Sequence, residues 1–145
     1  MENITKKRLK NAGWKESRDI DISIFSEKYK EIDLNIPINV KRFLRKYGGL
    51  IFEEKDMHED VRFIPNEAIG SNLNGRYFET VLEEYDILET AYPIGVCCRE
   101  NLILLMTENN EFYCFTDGYL ERNGKNVDEM LDCIVGECRE AQILV

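Results

Sequence analysis

The sequence predicts an α+β domain: N-terminal helices, then a mainly antiparallel sheet of about five to six strands, then a C-terminal helix packed on that sheet. Three observations predict it. Apolar residues recur at helical spacing in the first third of the chain and again near its end. Between them, short apolar runs ("YPIGVCC", "LILLM", "EFYCFT") are broken by turn-forming Asn and Gly. The length, 145 residues, suits one domain with one core, and no linker, repeat or low-complexity tract divides it.

The first helix is expected from Thr5 as N-cap to about Ala12, with Gly13 as a left-handed stop. The second follows Asp21, a good N-cap, and carries Ile22, Phe25, Tyr29 and Ile32 on one stripe. In the third, Asn35 is the expected cap and Pro37 sits in the first turn, where its missing N–H costs nothing. Ile36, Val40, Phe43, Leu44 and Tyr47 then form a core stripe, with Lys41, Arg42, Arg45 and Lys46 on the other face. Gly48 ends this helix, Gly49 turns the backbone, and "LIF" begins a strand.

"EEKDMHED" has no periodicity and reads as an exposed loop; "VRFI" reads as a short strand. Pro65 to Ala68 fits one helical turn, "SNLNG" a loop, and Tyr77 to Tyr85 a helix with Phe78, Val81, Leu82 and Tyr85 on one side. The second half reads as a meander, with Asn109–Asn110 turning "LILLM" into "EFYCFT" and "GYLERNG" as a further turn and strand. Asn126 and Glu129 begin the closing helix as an approximate capping box, and Val127, Met130, Leu131, Ile134 and Val135 form its stripe. Gly136 stops it, and the apolar tail "AQILV" packs back or adds an edge.

Charge narrows the function classes. The net charge of −9 is unevenly spread. Residues 1–52 carry twelve Lys or Arg against seven acids, residues 53–89 three against eleven, and residues 90–145 four against ten. Such a field disfavours nucleic acid and anionic lipid and favours a basic partner. No apolar run is long enough to span a membrane, and the N-terminus lacks the apolar core of a signal peptide, so a cytoplasmic chain is expected.

Catalytic chemistry is sparse. His58 is the sole histidine, and no phosphate loop, nucleophile elbow or dinucleotide fingerprint occurs. The five cysteines lack zinc-motif spacing and a disulfide pattern, so they are expected to be reduced, mostly buried thiols, with Cys97 and Cys98 on opposite faces of a strand. Asp56, His58, Glu59 and Asp60 lack the ordered spacing of a cation loop. Glu83 and Glu84, neighbours on a helix, diverge by roughly 100°. No enzyme, metal or cofactor is expected.

Two motifs carry a resemblance. "LKNAGWKESRDIDI" supplies Ala12, Gly13, Trp14 and Arg18, and "FLRKYGGL" supplies Phe43, Leu44, Tyr47, Gly48, Gly49 and Leu50; "YPIG", the apolar strand pair and the closing helix follow in order. Together they resemble the SUKH superfamily, and more narrowly its bacterial branch opening on "AGW" and an Arg. The hairpin turn departs from the family, with "ENNE" in place of an Asp-x-Gly-like text. The resemblance implies a sheet flanked by helices. It also implies an immunity protein that neutralises a cognate secreted toxin inside the producing cell, or else a regulatory protein-binding module without a toxin. The expected partner is a toxin catalytic domain, basic and a nuclease. Glu53, Glu54, Asp56, Glu59, Asp60, Glu83, Glu84 and Asp86 are the candidate charged contacts, and Tyr77, Phe78 and Tyr119 the candidate aromatic anchors.

Overall fold

In the computed structural model, which describes residues 1–70 and 74–145, three helices lead into the sheet. They are α1 (Asn3–Asn11), α2 (Ser23–Glu31) and α3 (Ile38–Tyr47). Helix α1 starts before Thr5, so Thr5 is not its cap. The threonine is buried, and its hydroxyl donates to Asp132 Oδ1 at 2.6 Å, an acceptor contributed from the far end of the chain. Gly13 takes the expected left-handed turn, at φ +100°. Asp21 holds the start of α2 by accepting from the Ser23 N–H and hydroxyl. Pro37 stands in extended backbone just before α3 rather than inside its first turn, and no side chain caps that helix.

The stripe of α3 is buried from Val40 through Phe43 and Leu44 to Tyr47. Phe43 meets Phe63 edge-on at 5.4 Å and Phe112 at 5.7 Å, pressing the helix onto the sheet. At its end, the two sequence motifs touch. Trp14 lies parallel to Tyr47, with ring centres 5.9 Å apart, and the Arg18 guanidinium donates to the Gly48 carbonyl. Gly48 is required for space: a Cβ there would collide with the Leu44 carbonyl oxygen and lie 2.8 Å from the Phe25 ring. Gly49 is required for conformation, at φ +84°, and its N–H donates to the Phe63 carbonyl at 2.7 Å.

Seven strands follow in a fully antiparallel sheet whose spatial order is the chain order: β1 (Ile51–Phe52), β2 (Val61–Arg62), β3 (Ala91–Cys97), β4 (Leu102–Thr107), β5 (Phe112–Thr116), β6 (Tyr119–Gly124) and β7 (Gln142–Ile143). The count exceeds the expected five to six because the C-terminal tail adds β7 along β6. Between β2 and β3 lie α4 (Pro65–Ala68), α5 (Gly75–Thr80) and a 3₁₀ turn at Val81–Tyr85. The expected 77–85 helix is thus split. Residues 71–73 of the predicted "SNLNG" loop lie outside the described residues, whereas the Asn74 side chain caps α5 through the Tyr77 N–H. Helix α6 (Val127–Ile134) is capped by Asn126, which accepts from the Glu129 N–H, while Glu129 reaches back to the Lys125 N–H.

Helix α1 is clamped to the end of α6. Arg8 Nη1 donates to the Val135 and Gly136 carbonyls at 2.8 and 3.1 Å, placing a cation at the negative helix terminus. The β4–β5 turn, with Asn110 at φ +64°, is held by a carboxyl pair. Glu89 accepts from Thr107 Oγ1 and Asn109 Nδ2, both at 3.0 Å, and faces Glu111. A shared hydrogen bond with Glu89, then burial and like-charge repulsion, raise Glu111 above the ordinary carboxyl range. Burial pushes Glu89 the same way, but hydrogen bonds from Glu111, Asn109 and Thr107 outweigh it, and Glu89 lies below that range.

Two predictions follow from this geometry. Gly48→Ala should cost about 2–3 kcal/mol through overpacking, and Gly49→Ala about 1–2 kcal/mol through the left-handed penalty, both read by urea unfolding; two silent substitutions would refute the corner as described. For the carboxyl pair, a raised Glu111 favours folding while it keeps its proton and stops doing so as pH rises through its folded value. Glu111→Gln keeps a donor without charge and should therefore gain about 0.5–1 kcal/mol over wild type at pH 7.5, with the gain fading by pH 4.5. Glu89→Gln should lose stability at pH 7.5, and equal effects of the two variants would contradict the assignment.

Candidate partner-binding site

Strand β1 is one edge of the sheet, and the acidic segment springs from it. The segment is exposed over most of its length, as expected of a loop, and it is tied in place. Glu54–Asp56 forms a 3₁₀ turn, and Met57 is buried under it. Glu137 accepts from the His58 N–H through both carboxylate oxygens at 3.0 Å and from the Glu59 N–H at 3.1 Å. The same carboxylate accepts from Arg8 Nη1 at 3.0 Å, so one half-buried side chain joins α1, the acidic loop and the end of α6. Arg99 grips the segment from the β3–β4 turn. It donates to both Glu54 oxygens at 2.7 and 3.2 Å, and its backbone N–H donates to Asp60 Oδ1 at 2.7 Å.

That turn explains how Arg99 gets there. Cys98, Arg99 and Glu100 all adopt left-handed backbone, at φ +56°, +57° and +66°. Three such non-glycine residues in a row cost about 1–2 kcal/mol each, so the contacts of Arg99 must hold the turn in place. The same conformation overturns the expected placement of the adjacent cysteines. Cys98 lies beyond the end of β3, and its sulfur sits 3.6 Å from that of Cys97 instead of on the opposite face.

Of the sequence-predicted residues, Glu54, Glu59 and Asp60 converge, with carboxylate oxygens within 4.8 Å of one another. The Arg99 hydrogen bond, its largest influence, holds Glu54 below the ordinary carboxyl range. Glu53 pairs with Lys55 at 3.4 Å, while Asp56 and Glu59 make no ion pair among the described residues. Two clefts, of about 290 and 330 Å³, flank β1 and share Ile51, Phe52 and Glu53 in their walls.

The second candidate group sits on other elements. Glu83, Glu84 and Asp86 are exposed on the 3₁₀ turn after α5 and just beyond it, and Tyr77 is 41% exposed. Burial, followed by the charges of Glu84 and Asp117, raises the Tyr77 hydroxyl above its usual range. Phe78 is fully buried in the core and offers no surface to a partner. Tyr119 is half-buried and already committed, its hydroxyl donating to Glu121 at 2.7 Å; that bond, then burial, pushes it up to about 12.

Sequence reasoning missed Arg99, Glu137 and Arg8, the residues that shape the acidic loop. None sits in a motif, and each acts across a long stretch of chain; no local signal could have found them. Leu88 was missed too: it is 92% exposed beside Asp86 and Glu89, an apolar side chain in acidic surroundings. His58 projects into solvent, with Nδ1 3.7 Å from Glu137. No helix among the described residues is long and apolar enough to cross a membrane.

A preorganised anionic edge suits binding of a cationic partner. No curated protein and no solved structure matches the chain. The family model described as SUKH-3 immunity protein matches residues 1–137, taking in both contacting motifs, the sheet through β6, and Glu137 itself. On that match, which covers nearly the whole of the described fold, the chain belongs to the SUKH-3 immunity protein family.

Proposed function

We propose that the protein binds and blocks the catalytic domain of a cognate toxin, a nuclease with a basic cleft, and that it does so stoichiometrically and without turnover. The observation that carries this reading is the convergence of Glu54, Glu59 and Asp60 on a loop fixed by Glu137 and Arg99 at the free edge of the sheet. A loop already ordered before encounter loses little conformational freedom on binding. Opposed potentials also steer association toward about 10⁸ M⁻¹s⁻¹ at low salt, against about 10⁵–10⁶ for neutral partners. Asp56 and Glu59 are the carboxylates best placed to meet the toxin's cations, since Arg99 already engages Glu54 and Asp60. On the other acidic stretch, Tyr77 and Leu88 are exposed apolar anchors, and anchors of that kind govern residence time more than charge does.

The test uses the toxin that this reading requires to be encoded beside the chain. Co-expression should restore growth, and the two proteins should copurify. Replacing Glu53, Asp56 and Glu59 together by Lys leaves the Arg99 grip intact. It should slow association about tenfold or more at low salt, with the difference shrinking as added salt brings the screening length below about 8 Å. An unchanged association rate moves the contact away from this edge.

A further inference from the structure

We propose that Cys97, Cys98 and Cys114 form a binding site for a soft, thiophilic d¹⁰ cation, zinc or copper(I), in the cavity between the sheet and the segment after α6. The cavity, about 310 Å³, brings together four of the five cysteines. Strand register puts Val61, Cys97 and Leu102 in one row across the sheet, and Leu104, Cys114 and Glu121 in the row two positions along, on the same face. The left-handed turn then folds Cys98 back toward the first row. The resulting sulfur separations are 3.6 Å for Cys98–Cys97 and 3.9 Å for Cys97–Cys114. A zinc–sulfur bond of about 2.3 Å in tetrahedral geometry sets neighbouring sulfurs about 3.8 Å apart. Cys97 is thus the central ligand, with a sulfur at coordination distance on either side. The third edge is open: the Cys98 and Cys114 sulfurs lie more than 4.8 Å apart, and a cation closes it by drawing in Cys98, whose side chain is the half-exposed one of the three.

The surroundings fit a cation. Cys133 brings a fourth thiol to the cavity wall, which Glu59 and Glu121 line together with Arg139 and with Glu137, whose charge Arg8 offsets. Asn123, 2% exposed, donates from Nδ2 to Glu121 and, at 3.6 Å, to Cys133 Sγ, which holds that thiol on the cavity wall. Cys97, Cys98 and Cys114 are free thiols, and a thiol ligates a metal only as its thiolate. Each ligation therefore breaks an S–H bond, forms a sulfur–metal bond and delivers one proton to solvent, so affinity rises with pH.

The experiment titrates the fully reduced full-length chain with cadmium under anaerobic conditions, with zinc as competitor. The expected result is an ultraviolet thiolate-to-cadmium charge-transfer band that saturates at one equivalent, displaced by zinc and weakening as pH falls. Cys97→Ser should abolish it, and Cys114→Ser should weaken binding about tenfold or more. Cys138→Ser should leave it unchanged, because that sulfur sits outside the cavity against Thr5 and the Asp132 carbonyl. A second readout needs no variant: in the wild type, cadmium should protect Cys98, and not Cys138, from alkylation mapped by mass spectrometry. Absence of a band saturating at one equivalent, its survival in a folded Cys97→Ser variant, or protection of Cys138 in place of Cys98 would overturn the proposal.

Discussion

The Gly48–Gly49 corner is the constraint on which the rest of the structure depends. A helix that has just buried Phe43, Leu44 and Tyr47 must reverse within two residues and enter the sheet. Only a residue without a side chain fits between the Leu44 carbonyl and the Phe25 ring, and only one tolerant of positive φ can follow it. The chain fastens this corner from three directions: Arg18 on the Gly48 carbonyl, Trp14 against Tyr47, and the Phe63 carbonyl on the Gly49 N–H. Arg18 is partly buried in doing so, which lowers its hold on its own proton but leaves it cationic, and a cation shared with a carbonyl binds more tightly than a neutral donor would. The orientation of β1, and hence of the acidic loop that leaves it, follows from this corner.

A second fastening acts at the other end of the loop. Glu137 accepts from Arg8, His58 and Glu59, so its charge is offset by three donors drawn from two distant segments. A half-buried carboxylate with that many partners is costly to disturb, because removing it strands donors that have already left water. The two fastenings divide the work. The glycine corner sets where the loop begins, Glu137 sets where it ends, and Arg99 keeps the carboxylates between them from repelling one another apart.

Much of the fold was legible because its signals are local. The α3 stripe, the glycine stop, the Asn126–Glu129 cap and the apolar β4 run each depend on residues within a few positions of one another. The larger departures come from contacts that no short window holds. Thr5 looked like a cap because its neighbours allow it, yet its acceptor is Asp132. The segment 53–60 is the exposed loop that its lack of periodicity predicts, but the restraints that order it come from Glu137 and Arg99. Cys97 and Cys98 were expected on opposite faces because strands alternate, yet three left-handed residues end the strand between them. Long-range partners settle Thr5 and the loop, and a strained turn that Arg99 holds settles the cysteine pair; no pattern within a short window encodes these. The candidate site divides the same way: acidity was readable from composition, whereas which acids are free and which are engaged required the fold.

That last distinction bears on how an acidic surface can be selective. If every carboxylate from Glu53 to Asp60 were free, the segment would attract any cation and would also repel itself out of shape. Engaging Glu54 and Asp60 with Arg99 removes part of the attraction but fixes the spacing of the remainder. Under the binding proposed above, a partner would meet Asp56 and Glu59 at defined positions and would have to present its cations to match, while a mismatched partner would gain only the screened long-range attraction. On this view the internal arginine is not a defect in an anionic surface. It trades affinity shared by all cations for geometry that only a complementary one can use.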